Sequence, residues 1–91
     1  MATTIITSHK VENFAKWKQS FESGEAIRTQ AGIIINGIYQ AVDDENSVTI
    51  ISQFPSVDVA KAILSSAEMK ESMVKSGVIS IPEIKFLNQT I

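Results

Sequence analysis

The sequence predicts an α+β fold in the order β-α-β-β-α-β, a four-stranded antiparallel sheet with its helices on one face. Three observations predict it. Runs rich in β-branched residues open, centre and close the chain. Between them lie two stretches whose apolar residues recur at helical spacing. Capping and turn residues occupy the breaks.

Taken in order, TTIITSH at 3 to 9 reads as a strand, covered on both faces if its two isoleucines point oppositely. Asn13 is placed to cap a helix, because its amide oxygen can accept an orphan N–H of the first turn. Phe14, Trp17 and Phe21 follow at i, i+3, i+7. At 100° per residue they fall within an arc of about 60° and form one aromatic seam, with Lys18 at its edge. Gly24 weakens the helix, and a second piece through Ala26, Ile27 and Ala31 ends at Gly32, a left-handed stop.

IIINGIYQAV at 33 to 42 reads as a strand, the polar run 43 to 47 as a turn, and VTIISQF at 48 to 54 as the returning strand. Gly37 inside a strand marks a bulge or a close approach, the bulge being favoured. Pro55 stops the hairpin. Ser56 caps a helix with Val59, Ala60, Ile63 and Ala67 inward, and Ser65 with Glu68 reads as a capping box that restarts it through Met69 and Met73 to Gly77. EIKFLN then alternates as an edge strand, with Ile84 and Phe86 on one side and Glu83, Lys85 and Leu87 on the other.

The 91 residues are expected to form one domain, 1–91. Both middle strands carry apolar residues at both parities, which one helical layer cannot cover, so a homodimer packed through the sheet face is expected. A net charge of −2 with mixed signs argues against nucleic acid, and no apolar run is long enough to span a membrane. Without cysteine there is no disulfide framework or thiolate nucleophile, and the opening MATTIITSHK does not read as a signal peptide, so a cytoplasmic location is expected.

The succession V-x-N-F-x-x-W-K-x-x-F at 11 to 21, A-G-I at 31 to 33, D-D-E-N at 43 to 46, F-P-S-V-D-V-A-K-A at 54 to 62, A-E-M-K-E-S-M at 67 to 73 and G-V-x-x-x-P-E-I-K-F-L at 77 to 87 resembles the dimeric α/β-barrel superfamily, nearest its antibiotic-biosynthesis-monooxygenase-like branch. The resemblance implies a ferredoxin-like protomer that pairs sheet to sheet, with an apolar cavity between sheet and helices. It also implies cofactor-free monooxygenases of aromatic polyketides, polyketide cyclases, haem-degrading enzymes, and members without assigned activity. Fold does not choose among these.

Side chains narrow the choice. Haem-degrading relatives carry an axial histidine on the second helical region, and residues 57 to 76 contain none. One histidine and no cysteine make no closed metal site, so neither metal nor cofactor is expected. Cyclisation wants two groups that move a proton, and the candidates are His9 and Tyr39, the only residues of their kinds. Against this, His9 also reads as a strand-end residue and Tyr39 as a core or interface aromatic. Cofactor-free oxygenation needs less: an apolar pocket, for which Trp17, Phe21, Tyr39, Met69 and Met73 are candidates, and hydrogen-bonding groups, for which Thr7, His9, Asn36 and Ser52 are. The same aromatic and Met stripes also read as plain core. Arg28, the only arginine, reads as a holder of a carboxylate or phenolate, or as a solvated surface cation. The expected ligand is an aromatic or polyketide-like small molecule. The alternative is a dimer that binds or packs without chemistry.

Overall fold

The computed structural model of the chain describes residues 2–91. Its elements are β1 (Thr3–Lys10), α1 (Phe14–Glu22), α2 (Glu25–Gln30), β2 (Ile34–Ala41), β3 (Asp44–Phe54), α3 (Val57–Leu64), α4 (Ala67–Lys75) and β4 (Glu83–Leu87). The four strands form one antiparallel sheet in the order β2-β3-β1-β4, the ferredoxin-like arrangement, with the helices on one face.

Local chemistry places the helix ends. The Asn13 side chain accepts the Lys16 N–H at 3.0 Å, and Ser56 accepts that of Val59 at 3.2 Å. Gly32 and Gly77 take positive φ values of 77° and 88°. Each closes a Schellman turn, in which Ile33 N–H reaches Arg28 O at 2.9 Å and Val78 N–H reaches Met73 O at 3.0 Å.

Three expectations are corrected. The cap of α4 is Ser66, whose hydroxyl accepts the Met69 N–H at 3.2 Å, while Ser65 ends α3 and donates to Lys61 O at 2.6 Å. Ser65 keeps a helical backbone as the C-cap of α3, whereas Ser66 takes the extended conformation that an N-cap requires. The hairpin turn is only Val42 and Asp43, since β3 begins at Asp44. Asn46, expected in that turn, instead accepts the Phe14 N–H on its side chain at 3.1 Å and the Val11 N–H on its carbonyl at 2.9 Å. It thereby ties the β1 to α1 corner to the hairpin.

The third correction decides directions. Ile35 pairs with Ser52 but Gly37 pairs with Ile51, so Asn36 is the extra residue of a β-bulge. The bulge reverses parity along β2. Ile35 and Ile38 lie opposite Ser52 and Ile50, on the helix side, whereas Gly37 and Tyr39 lie opposite Ile51 and Thr49, on the other face. There the Tyr39 ring covers Gly37, where an added Cβ would stand 2.5 Å from the phenolic oxygen. The bulge thus falls at Asn36, one residue before the expected Gly37, and the close approach of a ring falls at Gly37 itself.

Beneath the helices the core follows from alternation. Thr3, Ile5, Thr7 and His9 of β1 are buried, as are Val48, Ile50, Ser52 and Phe54 of β3. The opposite face, with Ile6, Ile34, Tyr39, Ile51 and Leu87, is half-buried or exposed in the single chain. No helix of the described residues is long and apolar enough to cross a membrane.

Candidate functional site

The helix side of the sheet has small polar residues at its centre. Thr7 on β1 and Ser52 on β3 occupy inward positions where a filled core would carry large apolar groups. The buried apolar residues accordingly fall into two clusters. One is Val11, Trp17, Val48 and Ile50, and the other is Ile5, Phe54 and Ala60. Members of both bound a cavity of about 340 Å³ between sheet and helices. That volume lies in the range of small-molecule sites, about 300–1,000 Å³.

The helices stand at different heights. Ala60, fully buried, has only a methyl group to interpose, and α3 lies close on β1 and β3. α1 reaches the sheet through rings. Trp17, 2% exposed, stacks on Phe21 with centroids 5.1 Å apart and meets Phe14 at 5.9 Å. Its indole also makes a T-shaped contact with the His9 imidazole at 5.5 Å. Trp17 is therefore both a packing residue and a cavity wall. Lys18, at the edge of the seam, pairs with Glu22 at 3.3 Å in solvent.

Of the candidate residues, Thr7, His9, Trp17, Phe21, Ser52, Met69 and Met73 all line this cavity. Asn36 and Tyr39 do not. Asn36 is taken up by the bulge, and Tyr39 projects from the opposite face, 53% exposed. His9 and Tyr39 therefore form no pair across one site. Sequence reasoning missed Ser72 and Ser76, which also line the cavity. The signal was available: Met69, Ser72, Met73 and Ser76 recur at i, i+3, i+4, i+7, one face of a helix.

His9 is the chemically distinctive group on the floor. It is 7% exposed, and its Nδ1 is buried without a hydrogen-bond partner among the described residues. An unmet buried polar atom costs about 1–3 kcal/mol, so a ligand that supplies the missing partner would recover part of it. Burial lowers the imidazole pKa below 6.5, with the polar backbone of His9 opposing more weakly. At neutral pH the ring is uncharged and able to accept a proton.

Arg28 enters from α2. Its guanidinium carbon lies 3.9 Å from the centre of the Phe21 ring, and Nη1 donates to Phe21 O at 2.7 Å, near the end of α1. Desolvation lowers its pKa while Glu25 raises it, and a guanidinium remains charged throughout the physiological range. Among the described residues, no three His, Asp or Glu side chains gather as metal ligands would.

This architecture recurs in solved structures. A Bordetella bronchiseptica protein provisionally assigned as an antibiotic biosynthesis monooxygenase superposes with a TM-score of 0.77 at 14% identity, covering 99% of this chain and 98% of its own. SnoaB, a cofactor-independent oxygenase from Streptomyces nogalater, superposes at 0.71 with 16% identity over 99% and 96%. The chain shares the ferredoxin-like fold of these proteins. A monooxygenase of that fold from Streptomyces coelicolor, ActVA-Orf6, in complex with the ligand nanaomycin D, superposes at 0.66 with 18% identity over 97% and 87%. No family model and no curated protein matches the sequence.

His9, the only histidine, permits a direct check on the electrostatics. In an untagged protein, its imidazole resonances are expected to titrate with a midpoint below 6.5 by NMR. The unfolded chain takes up this proton more readily than the folded one. The contribution of neutral His9 to stability is therefore complete above pH 6.5 and lost as pH falls from there towards the lowered value. Denaturant unfolding of His9→Gln should lack that part of the pH dependence.

Proposed function

We propose that the protein binds an aromatic small molecule in the cavity and oxygenates it without a cofactor. The observation that carries this reading is a neutral, unpartnered His9 on the polar floor of a cavity walled by Trp17, Phe21, Met69 and Met73. The Trp17 and Phe21 rings with the Met69 and Met73 side chains offer apolar walls for an aromatic body. Thr7 and Ser52 offer hydroxyls to its oxygens.

The chemistry asks little of the protein. An anthrone-type methylene flanked by a hydroxylated ring system is acidic enough for a positioned imidazole to remove a proton. The resulting electron-rich anion reacts with dioxygen. A carbon–oxygen bond forms, the oxygen–oxygen bond breaks, and the methylene becomes a carbonyl while the second oxygen leaves as water. The carbon loses four electrons and dioxygen gains four, so no other oxidant is required. Cyclisation through a His9 and Tyr39 relay has lost its support, because the two residues lie on opposite faces of the sheet.

A second reading, binding without turnover, is favoured by one observation. Apart from His9, no side chain that lines the cavity among the described residues is of a kind that exchanges protons near neutrality, so a relay has no second member. The two readings separate on one substrate. With dithranol, a dihydroxyanthrone, the oxygenase reading expects oxygen uptake above the spontaneous rate, one water per dioxygen, with His9→Gln at least tenfold slower. Quenching of Trp17 fluorescence without accelerated uptake would assign the protein to binding alone.

The assembly belongs to the same proposal: a cytoplasmic homodimer joined through the open sheet face. Ile6, Ile34, Tyr39, Ile51 and Leu87 on that face support it, since these half-buried or exposed apolar side chains, interleaved with Thr4, Ser8, Thr49 and Gln53, would be covered by a second copy. Equilibrium sedimentation at micromolar concentration is expected to give twice the chain mass, and Ile51→Lys to give the monomer.

A further inference from the structure

The cavity holds a single full charge. Its lining includes Arg28 but no Asp or Glu, and His9 is uncharged at neutral pH. A second recess adjoins it, bounded by Glu22, Glu25, Arg28 and Thr29. Phe21, Arg28, Ile33 and Ile35 border both spaces, so the two meet at the stacked guanidinium and ring.

Among the described residues, Arg28 pairs with no carboxylate within ion-pair distance, although Glu25 lies near enough to influence it. One of its five N–H groups is committed to Phe21 O. The remaining donors sit at the rim of the cavity, half-buried, where solvent screens the charge in part and an anion is still attracted. In the adjoining recess Glu22 and Glu25 repel an anion, whereas the lining of the larger cavity holds no carboxylate.

We infer that Arg28 is a specificity-determining residue that selects aromatic ligands bearing a carboxylate, with the ring system against Trp17 and Phe21 and the carboxylate on the guanidinium. The inference rests on the cavity being a small-molecule site, as proposed above, and adds the charge of the molecule it takes. Guanidinium suits the role because its planar fork meets both oxygens of a carboxylate, and stacking on Phe21 holds that fork in place before the ligand arrives.

The alternative role for Arg28 is structural, as a cap on the last carbonyls of α1. Gln in its place keeps an N–H donor for Phe21 O and removes the charge, so it separates the two. Isothermal titration of 2-naphthoate and of its neutral relative 2-acetylnaphthalene into the wild-type and Arg28→Gln proteins provides the test. The expected result is tighter binding of the acid by about tenfold in the wild type, the scale of one charge-assisted contact, with that preference abolished in Arg28→Gln and neutral binding retained. Arg28→Lys should restore only part of it. Equal affinity of the wild type for both compounds would overturn the role of Arg28 and leave the cavity reading standing. A preference that survives in Arg28→Gln would overturn the selective role and leave Arg28 a helix cap, which a lowered melting temperature of Arg28→Ala would then show. If neither compound binds, the cavity reading itself falls, and this inference with it.

Discussion

The rest of the structure depends on a core that is divided. Buried apolar residues gather at the two ends of the sheet, around Trp17 with Val48 and around Phe54 with Ala60, and Thr7 and Ser52 keep the middle from filling. In a domain this small, such an arrangement forgoes apolar burial, and each methylene left out forfeits about 0.8 kcal/mol. What the chain gains is a partly open cavity with polar groups at its floor. A Leu at either position would supply burial and take room from the cavity.

The helices maintain that space by the size of what they interpose. Ala60 lets α3 down onto the sheet, and the Phe14, Trp17 and Phe21 rings hold α1 away from it. Trp17 joins the two demands: its edge on His9 anchors the helix layer, and the same indole lines the cavity. His9 is also held in this contact, buried and uncharged. Packing and candidate chemistry therefore meet in one pair of rings.

Much of this was legible in the residues. The order of elements, the caps at Asn13 and Ser56, the left-handed stops at Gly32 and Gly77 and the alternation of Ile84 and Phe86 all follow from local rules that tertiary context did not override. The parity of β2 was not legible, because a bulge at Asn36 is a property of register between two strands, and no local pattern marks which residue becomes the extra one. That single residue decided whether Tyr39 could join His9. The cavity was legible only as a set of candidates: the sequence names Thr7, Ser52, Met69 and Met73, but whether such side chains fill a space or line it depends on the height of the helices above the sheet. Arg28 was ambiguous for a similar reason, since the ring it stacks on belongs to another helix.

The central claim is that the space beneath α1 and α4 receives an aromatic molecule. Methyl NMR of protein labelled with ¹³C-methyl methionine tests it most directly, because Met69 and Met73 both line the cavity. On addition of 2-acetylnaphthalene the account predicts ring-current shifts of both methyl signals and nuclear Overhauser contacts from the ligand to these methyls and to the Trp17 indole. Unmoved Met69 and Met73 signals at saturating ligand, or contacts confined to Tyr39 and Ile51 on the opposite face, would contradict it.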